Sequence, residues 1–278
     1  MNERTQMNIL VTLDANYILP LRVLLHSLVT ADTQTFYTVY VAHASLTQAD
    51  FERIRKGLPQ ERCALRPIEV APALLEDAPV LRRLSKATYY RLIAPSFLPR
   101  DVDRVLYLDP DITVIRSLVP FYNMDMRGKC FAASGHLGPF GDRFNRRRLH
   151  IRRNAEYVNA GVLLMDVRSL REMDNNEQIF DFVRRNARRL YLGDQDVLNA
   201  FYDGSIQIVD ARVYNLDEKM FKKMQEKGTL NARWVREHTA IIHYDGSKKP
   251  WNEPYDGLLG DYFFACRKDL EAQIGEPV

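Results

Sequence analysis

Residues Arg104 to Thr113 read Arg-Val-Leu-Tyr-Leu-Asp-Pro-Asp-Ile-Thr, an apolar run that stops at two carboxylates. Val105, Leu106, Tyr107 and Leu108 show no polar/apolar alternation, which predicts a strand buried on both faces of a parallel sheet. Asp109 and Asp111 are two positions apart, so in extended chain they point to the same side. Pro110 biases Asp109 away from the helical region and sets its own φ, which holds that arrangement. Two anions at the carboxyl end of a buried strand are costly unless a cation sits between them. Open α/β sheets place their ligands at that edge. A hard divalent metal carrying a phosphorylated substrate suits the position. The competing reading is an ordinary Asp-Pro-Asp turn, since acids follow strands wherever turns do.

The segments before it alternate strand and helix patterns. Met7 to Leu13 reads as a buried strand. Tyr17 to Val29 reads as a helix with Pro20 in its first turn and Leu21, Leu24, Leu25 and Leu28 on one face. Phe36 to Ala42 is β-rich. Thr47 to Leu58 is amphipathic, with Thr47 and Asp50 spaced as a capping box. Cys63 to Val70 predicts a third strand and Leu81 to Ile93 a helix. Further on, Lys129 to Ser134 and Val158 to Asp166 read as strands. Asn175 to Leu190, Gln195 to Tyr202 and Leu258 to Leu270 read as helices. The order predicts an α/β fold: a mostly parallel, Rossmann-like central sheet with helices on both faces and right-handed crossovers.

Composition narrows the class. With 278 residues the chain can bury a sizeable core, and 46% hydrophobic with 27% charged residues is an ordinary soluble balance. No apolar stretch approaches a membrane span, and the polar start from Met1 to Gln6 leads straight into a strand, which predicts no secretory signal. Cys63, Cys130 and Cys266 are too few and too scattered for a disulfide framework or zinc cluster, so buried, reduced thiols in a cytoplasmic protein are expected. A net charge of +3 is too small to imply nucleic acid. It is unevenly spread, however: Arg143, Arg146, Arg147, Arg148, Arg152 and Arg153 crowd one segment.

Other polar clusters sit at strand ends. Asp14 and Asn16 follow the first strand, where they cap the next helix or read a base or ribose. Asn159, Ala160 and Gly161 precede a buried strand, where small residues make a tight turn or let the backbone approach a ligand. Gly193-Asp194-Gln195-Asp196 opens a helix; two acids and an amide exceed what capping needs. Ile241 to Trp251 is an apolar strand ending at His243, then a glycine turn, two lysines and Pro-Trp. Beside Asp109 and Asp111, His243 would complete two carboxylates and an imidazole, a set suited to Mn²⁺ with Mg²⁺ second. Gly246 and Lys249 would then face a diphosphate.

Taken in order, the Asp-x-Asp after a Leu-Tyr-Leu strand, Asn-Ala-Gly-Val-Leu-Leu, Asp-Gln-Asp and His-Tyr-x-Gly-x-x-Lys-Pro-Trp resemble glycosyltransferase family 8. Thr88-Tyr89-Tyr90-Arg91-Leu92 resembles that family's Thr-Tyr-x-Arg-Leu segment, and the likeness covers roughly residues 7 to 265. It implies a GT-A fold in one domain over residues 1–278, with a nucleotide-binding half at 7–115 and a sugar and acceptor half at 116–270. The implied chemistry is retaining transfer of a hexose from UDP-glucose or UDP-galactose to a glycan or lipid-linked acceptor, with Mn²⁺. By matching position, Asp109, Asp111 and His243 would bind metal, and Thr12, Asp14, Asn16 and Tyr17 the uridine. Gly246 and Lys249 would take the diphosphate; Arg91, Asn159, Ala160, Asp194 and Gln195 would surround the sugar.

A neutral amide is a poor nucleophile, so Gln195 is expected to stabilise an oxocarbenium-like transition state through its carbonyl oxygen, with front-face transfer. Proline inside the metal motif departs from the family's usual small residue. The basic, aromatic C-terminal tail of several relatives is not matched after Leu270, so tail anchoring is not expected. Arg143 to Arg153 predicts a solvated loop; the alternative is contact with an anionic acceptor or the inner membrane face. Two other functions compete: a metal-dependent nucleotidyltransferase, and a non-catalytic UDP-sugar-binding protein.

Overall fold

The computed structural model describes residues 5–81, 86–135, 138–173, 176–252 and 254–278. Ten strands are present among them: β1 (Gln6–Thr12), β2 (Phe36–His43), β3 (Cys63–Glu69), β4 (Arg104–Leu108), β5 (Ile112–Val114), β6 (Phe131–Ser134), β7 (Val162–Asp166), β8 (Ile206–Val209), β9 (Leu216–Asp217) and β10 (Ile241–His243). Seven form one sheet in the order β3-β2-β1-β4-β7-β6-β8. The first four are parallel, β7 runs antiparallel to both β4 and β6, and β8 is parallel to β6. The expected α/β sheet is therefore present, parallel at every pairing but the two that β7 makes.

The apolar run of β4 is buried on both sides, as its lack of alternation requires. Val105 and Tyr107 enter one core with Ile179, Val183 and Leu198, while Leu106 and Leu108 enter the other with Leu21, Leu25 and Phe51. Helices thus cover both faces. Full burial of Leu106 or Leu108 contributes about 1.5–3 kcal/mol each.

A second, three-stranded sheet, β5-β10-β9, was not legible in the sequence. It packs on the helix Ile18–Ala31, and Ser27 Oγ of that helix accepts the β5 amide of Val114 at 2.9 Å. The helix is buried nearly all round instead of on one face, with Arg22, His26 and Ser27 also buried. The second sheet joins residues far apart in the chain: His243 pairs with Ile112 and, on its other side, with Asp217.

Two expectations are corrected. Leu81 to Ile93 is not one helix; its residues 82–85 lie outside the described residues, and the rest is a 3₁₀ turn (Lys86–Tyr89) before the short helix Ala94–Phe97. Tyr89, Tyr90, Leu92 and Ile93 are buried, four of five consecutive positions, where an amphipathic helix would bury one face. Tyr89 instead packs edge-on against Phe180 and donates its hydroxyl to the Pro79 carbonyl at 2.7 Å. Arg143 to Arg153 is not a loop throughout: Gly138–Leu149 is a helix, ended by His150 at φ 58°. Asp142, Asn145 and Leu149 are buried in it, which gives the arginines a helical period.

The other helices lie near their expected bounds, at Asn176–Asn186, Asp194–Phe201 and Gly260–Ile274, position 175 falling outside the described residues. The Thr47–Asp50 capping box is formed in full.

Candidate active site

β4 carries the chain to Asp109 at the carboxyl edge of the large sheet, and the turn through Pro110 delivers Asp111 to the start of β5. Because β10 pairs with β5, His243 arrives at the same point, and the Tyr244 amide donates to the Asp111 carbonyl at 2.9 Å. His243 Nε2 lies 3.2 Å from Asp111 Oδ1 and 3.8 Å from Asp109 Oδ2. One ligand atom from each of the three falls within 4.8 Å of the others. The two carboxylates do converge on one side, as their spacing predicts.

Gly161 makes the convergence possible. A Cβ on it would stand 2.5 Å from Asp109 Oδ2 and closer still to His243 Cε1. Its amide donates to Asn159 Oδ1 at 2.8 Å, and its carbonyl accepts from the Asp109 amide at 2.8 Å. The small residue thus serves the packing of the carboxylate and imidazole against the backbone.

The charges around the carboxylates are shared unevenly. Lys249 Nζ lies 2.6 Å from Asp111 Oδ2 and also donates to the Tyr244 carbonyl at 2.6 Å. Burial would raise the Asp111 carboxyl, but His243 and Lys249 outweigh it and hold the group well below the usual carboxylate range. Burial likewise opposes charge on His243, yet Asp111 prevails and the imidazole is pushed up to about 9. Arg91 lies between the acids, 3.0 Å from Asp109 Oδ1 and 2.8 Å from Asp194 Oδ2. The second contact is an ion pair without hydrogen-bond geometry, leaving both buried atoms without a hydrogen-bond partner. Burial pushes the Asp194 carboxyl up against the opposing pull of Arg91.

Two hollows flank the triad. One, of about 330 Å³, is lined by Thr12, Asp14, Tyr17, Arg91, Asp109 and Asp111. Asp14 caps the 3₁₀ turn Ala15–Tyr17 and also lines this hollow; Asn16 is exposed beside it. Thr12 Oγ1 is 3.0 Å from the Tyr107 hydroxyl, which donates to Asp109 Oδ1 at 2.6 Å. Trp251, from the His-Tyr-x-Gly-x-x-Lys-Pro-Trp segment, meets Tyr17 edge-on at 5.9 Å.

The other hollow, also about 330 Å³, brings Asn159, Ala160, Asp194 and Gln195 to Asp109, Asp111 and His243. Gln195 Oε1 accepts from the Ala160 amide at 3.3 Å. Gly246 lies on neither wall; it lines a third hollow, to which His243 also contributes.

Asp196 differs from its neighbours. It is fully buried, takes a two-pronged hydrogen bond from Arg148 at 2.6 and 2.7 Å, and accepts from the Tyr157 hydroxyl at 2.6 Å and the Leu192 amide at 2.8 Å. It therefore fastens the Arg148 helix to the helix that carries Asp194 and Gln195. Of the arginine segment, Arg152 pairs with Asp203 and Arg146 donates to the Ala155 carbonyl, while Arg143, Arg147 and Arg153 are exposed.

Sequence reading missed the Tyr107 hydroxyl, hidden in an apolar run, and Ala44 and Ser45, which line the first hollow from the carboxyl end of β2. The rule that ligands sit beyond strand carboxyl ends could have found that pair. Asn215, whose Oδ1 is 2.8 Å from His243 Nδ1, carried no signal at all.

The donor set fits a divalent cation: two carboxylates and an imidazole, mutually close, with a glycine leaving room for both kinds of ligand. The mixed α/β sheet, with paired carboxylates and a histidine at its carboxyl edge, agrees with the GT-A glycosyltransferase fold that the resemblance implied. Residues 8–254 match the family described as glycosyl transferase family 8, and the chain belongs to that family. Among curated relatives, general stress protein A of Bacillus subtilis (strain 168) is 26% identical over 267 residues, covering 93% of this chain and 92% of that protein. A lipopolysaccharide 1,2-glucosyltransferase of Escherichia coli (strain K12) is 24% identical, covering 89% and 73%. Among solved structures, the galactosyltransferase LgtC in complex with donor and acceptor sugar analogs superposes with a TM-score of 0.80 at 26% identity, covering 94% of this chain and 95% of that one. Membership favours glycosyl over nucleotidyl transfer. Among the described residues no helix is long and apolar enough to cross a membrane.

Proposed function

We propose that this glycosyltransferase moves a hexose, glucose or galactose, from a UDP-sugar to a glycan or lipid-linked acceptor, with retention, in lipopolysaccharide-type or other cell-surface glycan synthesis. The observation that carries this reading is the Asp109–Asp111–His243 triad set between two hollows, one beside Thr12, Asp14 and Tyr17, the other beside Asp194 and Gln195. Relatives named for glucosyl and galactosyl transfer support the hexose, and their disagreement keeps both sugars open.

Asp109, Asp111 and His243 would hold Mn²⁺, with Mg²⁺ second; bound there, it supplies Lewis-acid neutralisation of the departing diphosphate. Thr12, Asp14, Asn16 and Tyr17 bind the uridine in this reading. In this reading Lys249, whose ammonium already lies on Asp111, meets the diphosphate, and Gly246, which lines another hollow, reaches it only if its turn moves toward the triad. Arg91, Asn159, Ala160 and Asp194 orient the sugar. Gln195 has its carbonyl oxygen tethered by the Ala160 amide, and a carbonyl oxygen has a second lone pair to offer a cationic anomeric carbon. The acceptor hydroxyl passes its proton to the leaving phosphate, so no protein base is required. Exposed Arg143, Arg147 and Arg153 suit peripheral contact with an anionic surface at the inner membrane face, which belongs to a cytoplasmic enzyme.

The test is UDP release with Mn²⁺ across a panel of UDP-sugars, without acceptor. One sugar hydrolysed well above the rest identifies the donor. Metal-dependent UDP binding with no release from any sugar supports a strictly acceptor-dependent enzyme or the non-catalytic reading, and no UDP binding at all defeats the proposal. Asp111→Asn should abolish metal-dependent UDP binding with the fold intact.

A further inference from the structure

We propose that Asn215 is a positioning residue for the metal site: it decides which imidazole nitrogen of His243 is presented to Asp109 and Asp111. This rests on the metal reading of the triad.

A backbone N–H can only donate. The Gly161 amide donates to Asn159 Oδ1 at 2.8 Å, so that atom is an acceptor. Asn215 approaches the same oxygen at 3.1 Å and must present its Nδ2 there. Its carbonyl Oδ1 is thereby turned to His243 Nδ1, at 2.8 Å. A carbonyl only accepts, so Nδ1 carries hydrogen. The neutral ring then has its lone pair on Nε2, the nitrogen that lies 3.2 Å from Asp111 and 3.8 Å from Asp109.

His243, Asn215 and Asn159 are all buried, at 2%, 5% and 6% exposure, so water cannot substitute for a lost partner without a place to sit. Nothing in His243 itself imposes this tautomer, since a free imidazole favours hydrogen on the other nitrogen. Partners of this kind orient metal-binding imidazoles, and their loss weakens metal binding 10–100-fold as a rule. The backbone fixes Asn215 in place, because its amide donates to the Ala211 carbonyl at 3.0 Å and it leads directly into β9, which pairs with β10 at His243.

The experiment is Mn²⁺ titration in the presence of UDP, read as free aqueous Mn²⁺ by electron paramagnetic resonance, on wild type, Asn215→Leu and Asn215→Asp. The leucine variant should bind Mn²⁺ about 10–100-fold more weakly. Aspartate keeps the acceptor for Nδ1–H but loses the donor to Asn159 Oδ1, so it should bind more tightly than the leucine variant and less tightly than wild type. Wild-type binding matched by the leucine variant overturns the inference alone, as do leucine and aspartate variants equally weakened. A wild type that binds no Mn²⁺ overturns the metal reading and the inference with it. Nitrogen-15 NMR of the metal-free wild type at high pH is independent of any variant's folding: hydrogen on His243 Nδ1 supports the proposal, and hydrogen on Nε2 overturns it.

Discussion

Lys249 and His243 divide the Asp111 carboxylate between them, the ammonium 2.6 Å from Oδ2 and the imidazole 3.2 Å from Oδ1. Lys249 therefore competes for an oxygen that a metal would use. Lys249→Met should strengthen binding of Mn²⁺ alone by several-fold, because Asp111 loses a rival cation. It should at the same time weaken binding of UDP, which loses a phosphate partner. Separate titrations of metal and of UDP check the pair of opposite signs. A variant weaker for both would place Lys249 among the structural supports.

Gly161 tolerates no side chain. An added methyl meets Asp109 Oδ2 at 2.5 Å and the His243 ring, neither of which can withdraw without dissolving the triad. Gly161→Ala should cost about 1–3 kcal/mol of stability by overpacking and abolish metal-dependent UDP binding. Denaturant melts and UDP titration with and without Mn²⁺ measure both. Unchanged metal dependence would mean the site has more room than the geometry allows.

Arg148 and the fully buried Asp196 form a pair whose loss leaves a stranded charge. Arg148→Met should destabilise the fold by about 3–5 kcal/mol, the usual cost of removing one partner of a buried ion pair. Exposed Arg143→Met or Arg147→Met should stay within about 0.5 kcal/mol. Urea denaturation of the three variants tests the contrast, and equal effects would return the whole segment to the solvated reading.

Burial pushes the Cys63 and Cys266 thiols up to about 12 and raises Cys130 as well. The thiolate is the reactive form, so a raised pKa lowers reactivity below that value. At pH 8 Cys63 and Cys266 should react roughly a thousandfold more slowly with Ellman's reagent in the native protein than in urea. A thiol labelled within seconds in the native state would contradict its burial.

Much of the architecture was legible locally because its signals are short-range. The unbroken apolar run of β4 announced a strand covered on both faces, and Thr47 with Asp50 announced a helix start. Asp109, Asp111 and His243 could be nominated from residue type and position at strand ends. Leu81 to Ile93 misled because Tyr89, Tyr90, Leu92 and Ile93, buried at four of five consecutive positions, look in one dimension like part of a helix face. The arginine segment misled in another way: its charges suggested solvent, which Arg143, Arg147 and Arg153 do reach, but hid a helix in which Asn145 and Leu149 are buried.

The sequence by itself determined the sheet's alternation of strand and helix, the acids at the carboxyl edge, and the kinds of ligand on offer, since these follow from residue type and local period. Only the tertiary structure decided that His243, 132 positions from Asp111, reaches it. That meeting depends on the pairing of β10 with β5, a three-residue contact with no period long enough to read. Only tertiary structure likewise gave Asp196 a structural partner in Arg148, confined Gly161, and set Asn215 behind His243. Such contacts belong to residues distant in sequence, and packing, which is specific only in three dimensions, selects among the many pairings that the same composition permits.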